Sequence, residues 1–143
     1  MVRDLLRLKV KTIFVVILSM VALVDLLGAD PPSQDQAKKS AEQWLNLIDH
    51  GKFEESWKAA ADYMQHAQSA EVWKQKLDKM RKPLGKVVSR ELQSSKSASS
   101  DYFDNGLQLK FATTFENKKN AIETVTVGRE KDGACKVAGY YIQ

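Results

Sequence analysis

The sequence predicts an α+β fold: three N-terminal helices packed on one face of a curved four-stranded antiparallel sheet. Three observations point there. Apolar residues recur at helical spacing from Ala37 to Leu84, the period changes to two from Lys86 onward, and the strands are separated by short polar turns. The 143 residues suffice for one domain with its own core, without disulfide or metal staples.

The first segment is a separate matter. Basic residues between Arg3 and Lys11 run into an apolar stretch from Thr12 to Val24, too short for the ~20 residues of a spanning helix. Leu27-Gly28-Ala29 then offers a small residue before Asp30, so residues 1–29 read as a signal peptide cleaved after Ala29. The expected location is periplasmic or secreted. The alternative is an uncleaved N-terminal membrane anchor, because Leu26 and Leu27 prolong the apolar run. No cysteine follows the apolar core, which excludes lipidation there.

Residues 30–35, with Pro31 and Pro32, form a stiff linker, and 36–143 a single α+β domain. Ser33 or Asp35 can cap the first helix, whose stripe is Ala37, Ala41, Trp44, Leu45 and Ile48; Gly51 ends it. A second short helix places Phe53, Trp57, Ala60, Ala61 and Met64 on one side. Ser69 caps a third, with Trp73, Leu77, Met80 and Leu84 in register, cations in its last turn, and Pro83 and Gly85 as its end.

The first strand is expected over about 86–95, with Ser94 to Ser100 as its frayed end and a loop. Asp104-Asn105-Gly106 signals a turn. Leu107, Leu109, Phe111, Thr113 and Phe115 then alternate with polar neighbours in a half-buried strand. A third strand covers Ala121 to Val127, a hairpin turns at Lys131-Asp132-Gly133, and a fourth runs from Cys135 to Ile142.

Several of these segments together, in order, resemble a known family. They are Pro83-Leu84-Gly85-Lys86-Val87-Val88-Ser89-Arg90, Phe111-Ala112-Thr113-Thr114-Phe115, Glu123-Thr124-Val125-Thr126-Val127 and Val137-Ala138-Gly139-Tyr140-Tyr141-Ile142, with the Trp44, Trp57 and Trp73 helices before them. The chain is similar over about 36–143 to an exported bacterial family known as domain of unknown function 4019. That resemblance implies a fold like the nuclear-transport-factor-2-like or cystatin-like cones, with a bent sheet around helices and a candidate pocket. It transfers no activity, because that architecture hosts enzymes, binders and scaffolds. Where the family tends to carry Trp before its last strand, this chain has Cys135.

Strand parity isolates Arg90 and Glu123. Arg90 shares a side with Val88 and Leu92, and Glu123 with Val125 and Val127, so each charge lies on an otherwise apolar face. A bidentate bridge would satisfy both, since an unpaired buried ion costs several kcal/mol. Such a bridge would fix register. A functional alternative makes Arg90 an anion anchor and Glu123 a general acid or base of a small-molecule enzyme. A third reading turns both charges to water. His50 and His66 fall at helix ends, and the chain shows no catalytic triad order, phosphate loop or metal-ligand cluster. No cofactor is expected. Lone Cys135 reads as a small packed hydrophobe, with a dimer disulfide as its rival.

Neither side of the last strand reads as polar: Cys135, Val137, Gly139 and Tyr141 lie on one, Ala138, Tyr140 and Ile142, with Lys136, on the other. Such strands are usually covered twice, which marks Tyr140 as a candidate binding residue for a second copy or a protein partner. Residues 1–29 hold +2 of the net +4, so no basic patch in the sequence argues for nucleic acid. The resulting expectation is a small exported non-enzymatic binding or accessory module, using a pocket beneath the helices or a sheet-face interface.

Overall fold

A computed structural model describes residues 30–100 and 103–143; the predicted signal peptide lies outside them. Helix α1 covers Gln34–Asp49. Ser33 Oγ accepts from Gln36 N–H at 3.2 Å, and Gln36 Oε1 accepts from Ser33 N–H at 3.1 Å, a reciprocal cap that satisfies two helix-start donors. Its buried residues are the predicted stripe, Ala37, Ala41, Trp44, Leu45 and Ile48. Among the described residues no helix is long and apolar enough to cross a membrane.

The single second helix expected from Phe53 to Met64 is two, α2 (Phe53–Lys58) and α3 (Asp62–Ala67). Ala61 is extended (φ −58°, ψ 146°), and its N–H donates to Val137 O at 2.8 Å instead of continuing the helix. Gln65 Nε2 donates to Ala60 O (2.9 Å) and Lys58 O (3.2 Å), so the carbonyls freed at the break keep partners. Helix α4 follows over Ala70–Arg81, capped by Ser69, and passes through a 3₁₀ turn at Lys82–Leu84.

Four antiparallel strands form one sheet in chain order: β1 (Val87–Ser100), β2 (Phe103–Phe115), β3 (Ala121–Arg129) and β4 (Cys135–Ile142). Two expectations are corrected at the first hairpin. Ser94–Ser100 is strand, paired from Ser95↔Leu109 to Ser100↔Phe103, and residues 103–106 belong to β2 rather than to a turn. Gly106 serves packing there. A Cβ on it would lie 2.7 Å from the Phe103 ring and 2.8 Å from Val127 O, so only glycine admits this approach.

A further correction is on β4. Thr126 pairs with Gly139 but Val127 pairs with Val137, which leaves Ala138 as an extra residue. This bulge shifts the side-chain parity, so Val137 and Tyr140 both join the helix-facing core. Tyr140 is therefore not a surface residue, whereas Tyr141 is exposed. Much of the apolar pattern on both sides of this strand thus comes from a single face that changes parity midway.

The core joins Trp44, Leu45, Ile48, Trp73 and Leu77 to Leu109, Phe111, Val125, Val127, Val137 and Tyr140. Trp44 lies 5.9 Å from Trp73 and 5.2 Å from Tyr140, ring centre to ring centre, within the range of favourable aromatic pairing. Each indole N–H has a partner: Trp44 donates to Ser56 O, Trp73 to Ser56 Oγ and Trp57 to Gln68 O. All three tryptophans thus anchor the helices.

A four-charge ring as the candidate functional site

Four elements bring two arginines and two carboxylates together under the ends of α1 and α4. Arg90 (β1) and Glu123 (β3) are separated by β2, where Arg90 pairs with Thr113 and Glu123 with Phe111. The small Thr113 side chain leaves the gap the long arginine crosses, and Arg90 Nε donates to Glu123 Oε2 at 2.6 Å. Val88, expected on the same side as Arg90, is turned outward at a register shift. The Arg90–Glu123 contact anticipated from parity is formed, but by one hydrogen bond rather than a bidentate bridge.

It is half of a larger unit. Arg81, the last residue of α4, donates through Nη1 to Glu123 Oε1 (2.8 Å) and to the Tyr140 oxygen (3.0 Å). Its Nη2 donates to Asp49 Oδ1 at 2.6 Å. Arg90 closes the ring on the same carboxylate, with Nη1 to Asp49 Oδ2 at 2.7 Å and Nη2 to Asp49 Oδ1 at 3.0 Å. Thr113 Oγ1 and Tyr140 OH donate to Glu123 at 2.7 and 2.6 Å. Glu123, fully buried, therefore accepts four hydrogen bonds, which fills the capacity of a carboxylate.

The electrostatics balance locally. Two guanidiniums face two carboxylates, so the ring is neutral, as the burial of Glu123 and Arg81 requires, while Asp49 closes it on the exposed side. Arg81 also lies 4.8 Å over the Phe115 ring. Burial works against the Arg90 charge, but its hydrogen bonds to Asp49 and Glu123 override this and hold its pKa above the ordinary value. Burial first, and then the Glu123 charge, push the Tyr140 phenol above its usual range, so it stays a neutral donor.

Sequence reasoning found Arg90 and Glu123 but missed Asp49, Arg81 and Thr113 as members and assigned Tyr140 outward. A signal existed. Arg81 follows Trp73 and Leu77 at intervals of four on one helical stripe, and Asp49 follows Leu45 in the same way. Charges on core stripes were thus legible on the helices as well as on the strands.

The remaining candidates lie apart. His50 and His66 are exposed, each with Nδ1 at 2.7 Å from the carbonyl four residues before it. Cys135 is half-buried against the core, beside a groove of about 300 Å³ that Trp44 and Ser40 also line. Among the described residues no group of His, Cys, Asp or Glu is arranged to hold a metal ion. A cleft of about 470 Å³ opens beside the ring, with Asp49 and Arg81 in its wall.

The model of a family described as "Protein of unknown function (DUF4019)" matches residues 40–140. No curated protein matches the chain. A 2.5 Å structure of a protein from Catenulispora Acidiphila is similar in fold, with a TM-score of 0.51 and 14% identity over 76% of this chain and 88% of that one.

Proposed function

The chain belongs to this family of unknown function, DUF4019, and on that premise we propose an exported, non-enzymatic binding module that associates through its outer sheet face. The observation that carries the reading is that the ring consumes its own polar groups while the opposite sheet face stays open. Every acceptor position of Glu123 is occupied, and all three guanidinium nitrogens of Arg90 are engaged with Glu123 and Asp49. The enzyme alternative draws no support from this geometry.

The outer face carries half-buried Gln108, Lys110, Ala112, Thr114, Ile122 and Thr126, with exposed Tyr141 on β4. By register Glu91, Lys96 and Lys136 share this face with Lys110, around an uncharged centre of Ala112, Ile122, Thr126 and Tyr141. The edges are less suited to association. Three register shifts interrupt β1, and the Ala61 N–H to Val137 O bond occupies part of the free edge of β4. A second copy packed face to face is the occupant we favour, and Tyr141 rather than Tyr140 is its anchor.

Native mass spectrometry of protein recovered after export tests the reading. The expected species is a dimer of chains beginning at Asp30, and a Tyr141→Lys variant should be a folded monomer. A wild type that remains monomeric at tens of micromolar would overturn the sheet-face interface, and a full-length mass would overturn cleavage after Ala29.

A further inference from the structure

The cleft beside the ring has a character that the sequence does not show. Lys74, Lys82 and Lys86 line it, and among the described residues none of the three forms an ion pair with a carboxylate. The turn after β2 is tied to this end of the molecule: Asn117 N–H donates to Leu84 O at 2.9 Å and Asn117 Nδ2 to Pro83 O at 3.2 Å. That turn carries exposed Lys118 and Lys119. The cleft lining therefore carries three lysines against Asp78 and Glu116, a net +1, and the tied turn adds Lys118 and Lys119 at the same end of the molecule. The neighbouring Asp49 and Arg81 add no net charge, because the ring neutralises them.

Two segments distant in sequence thus assemble a basic patch. The cleft beneath it has an apolar wall, with Phe53 half-buried and Ile48 behind it. Its volume of about 470 Å³ falls in the range of small-molecule sites, ~300–1,000 Å³. Gly51, in the left-handed region at φ +68°, has open space where a side chain would project, which keeps one side of the cleft clear.

We propose that this cleft binds an amphiphilic anion, with its phosphate or carboxylate head on the lysine rim and its apolar body against Phe53. The site is independent of the sheet face. Lysine ammoniums supply directional but adaptable donors to an anionic head, and the apolar wall distinguishes an amphiphile from a free inorganic ion.

The test is a ¹⁵N–¹H NMR titration of the mature chain with octyl phosphate below its micelle concentration, with octyl glucoside and inorganic phosphate as comparison probes. Saturable shifts at Gly51, Gly85 and Lys86 are expected. A Lys82→Glu/Lys86→Glu variant should bind about tenfold more weakly while melting as the wild type does, and Lys131→Glu, remote from the cleft, should bind normally. Unsaturable shifts, or equal affinity in the double variant, would overturn the site. Equal affinity for octyl glucoside would overturn the role of charge, and equal affinity for inorganic phosphate the role of the apolar wall.

Discussion

Glu123→Gln preserves shape and removes one charge from the ring, so its cost measures how the buried ions depend on one another. Glu123 is fully buried and accepts from Arg81, Arg90, Thr113 and Tyr140. A glutamine keeps one acceptor oxygen and turns an amide N–H₂ toward groups that are themselves donors. Two guanidiniums then share only Asp49, leaving a net positive charge under the helix ends. Breaking a buried pair from one side costs about 3–5 kcal/mol. At roughly 4 °C per kcal/mol for a domain of this size, the melting temperature should fall by about 12–20 °C. Urea denaturation of wild type, Glu123→Gln, Arg90→Gln and the double variant gives the coupling directly. The pair should couple by more than about 1 kcal/mol, because removing the second partner relieves the orphaned charge left by the first. A Glu123→Gln variant within about 1 kcal/mol of wild type, or strictly additive single variants, would refute the closed ring.

Two further outcomes follow from the same contacts. The Tyr140 phenol has a folded pKa raised above the unfolded value of about 10, so its contribution is complete below that pH and is lost as pH rises beyond it. The part of the phenolate absorbance near 295 nm that a Tyr140→Phe variant lacks should therefore emerge together with unfolding seen by circular dichroism; a Tyr140-dependent signal in the folded protein near pH 10 would contradict the buried donor, and Tyr140→Phe should unfold with a weaker dependence on alkaline pH. Gly106→Ala forces a Cβ against the Phe103 ring and Val127 O, and overpacking of this kind costs about 1–3 kcal/mol. Thermal melting reads it, and an unchanged midpoint would mean that the first hairpin yields.

What was legible in the sequence follows from how far each determinant reaches. The α1 stripe, the Ser33 cap and the Arg90–Glu123 parity are local, and each is visible within a few residues. The break between α2 and α3 is not, because it depends on an acceptor at Val137, 76 positions beyond Ala61. Gly106 misled for a related reason: Asp-Asn-Gly favours a turn locally, but the close approach of Phe103 and Val127 made strand the better use of that glycine. On β4, alternation held on either side of Ala138 and failed across it, since one bulge exchanges faces for every residue that follows.

The ring and the lysine cleft share a border but separate in their energetics. Asp49 and Arg81 line both, yet their charges are spent on each other and on Glu123 and Arg90. A neutral, internally bonded unit contributes little field to the cleft, so the positive charge in its lining comes from Lys74, Lys82 and Lys86. These exposed side chains do little for stability, because surface charges typically contribute about 0–1 kcal/mol. Interior substitutions that leave the ring's charge balanced, such as Gly106→Ala, should therefore change melting while sparing the cleft's selectivity for charge. Lysine substitutions should do the reverse. Glu123→Gln, by contrast, unbalances the Asp49–Arg81 wall and should tighten anion binding. The ring then serves the cleft as a rigid neutral wall, holding the ends of α1 and α4 on the sheet while the lysines supply the charge that a ligand would meet.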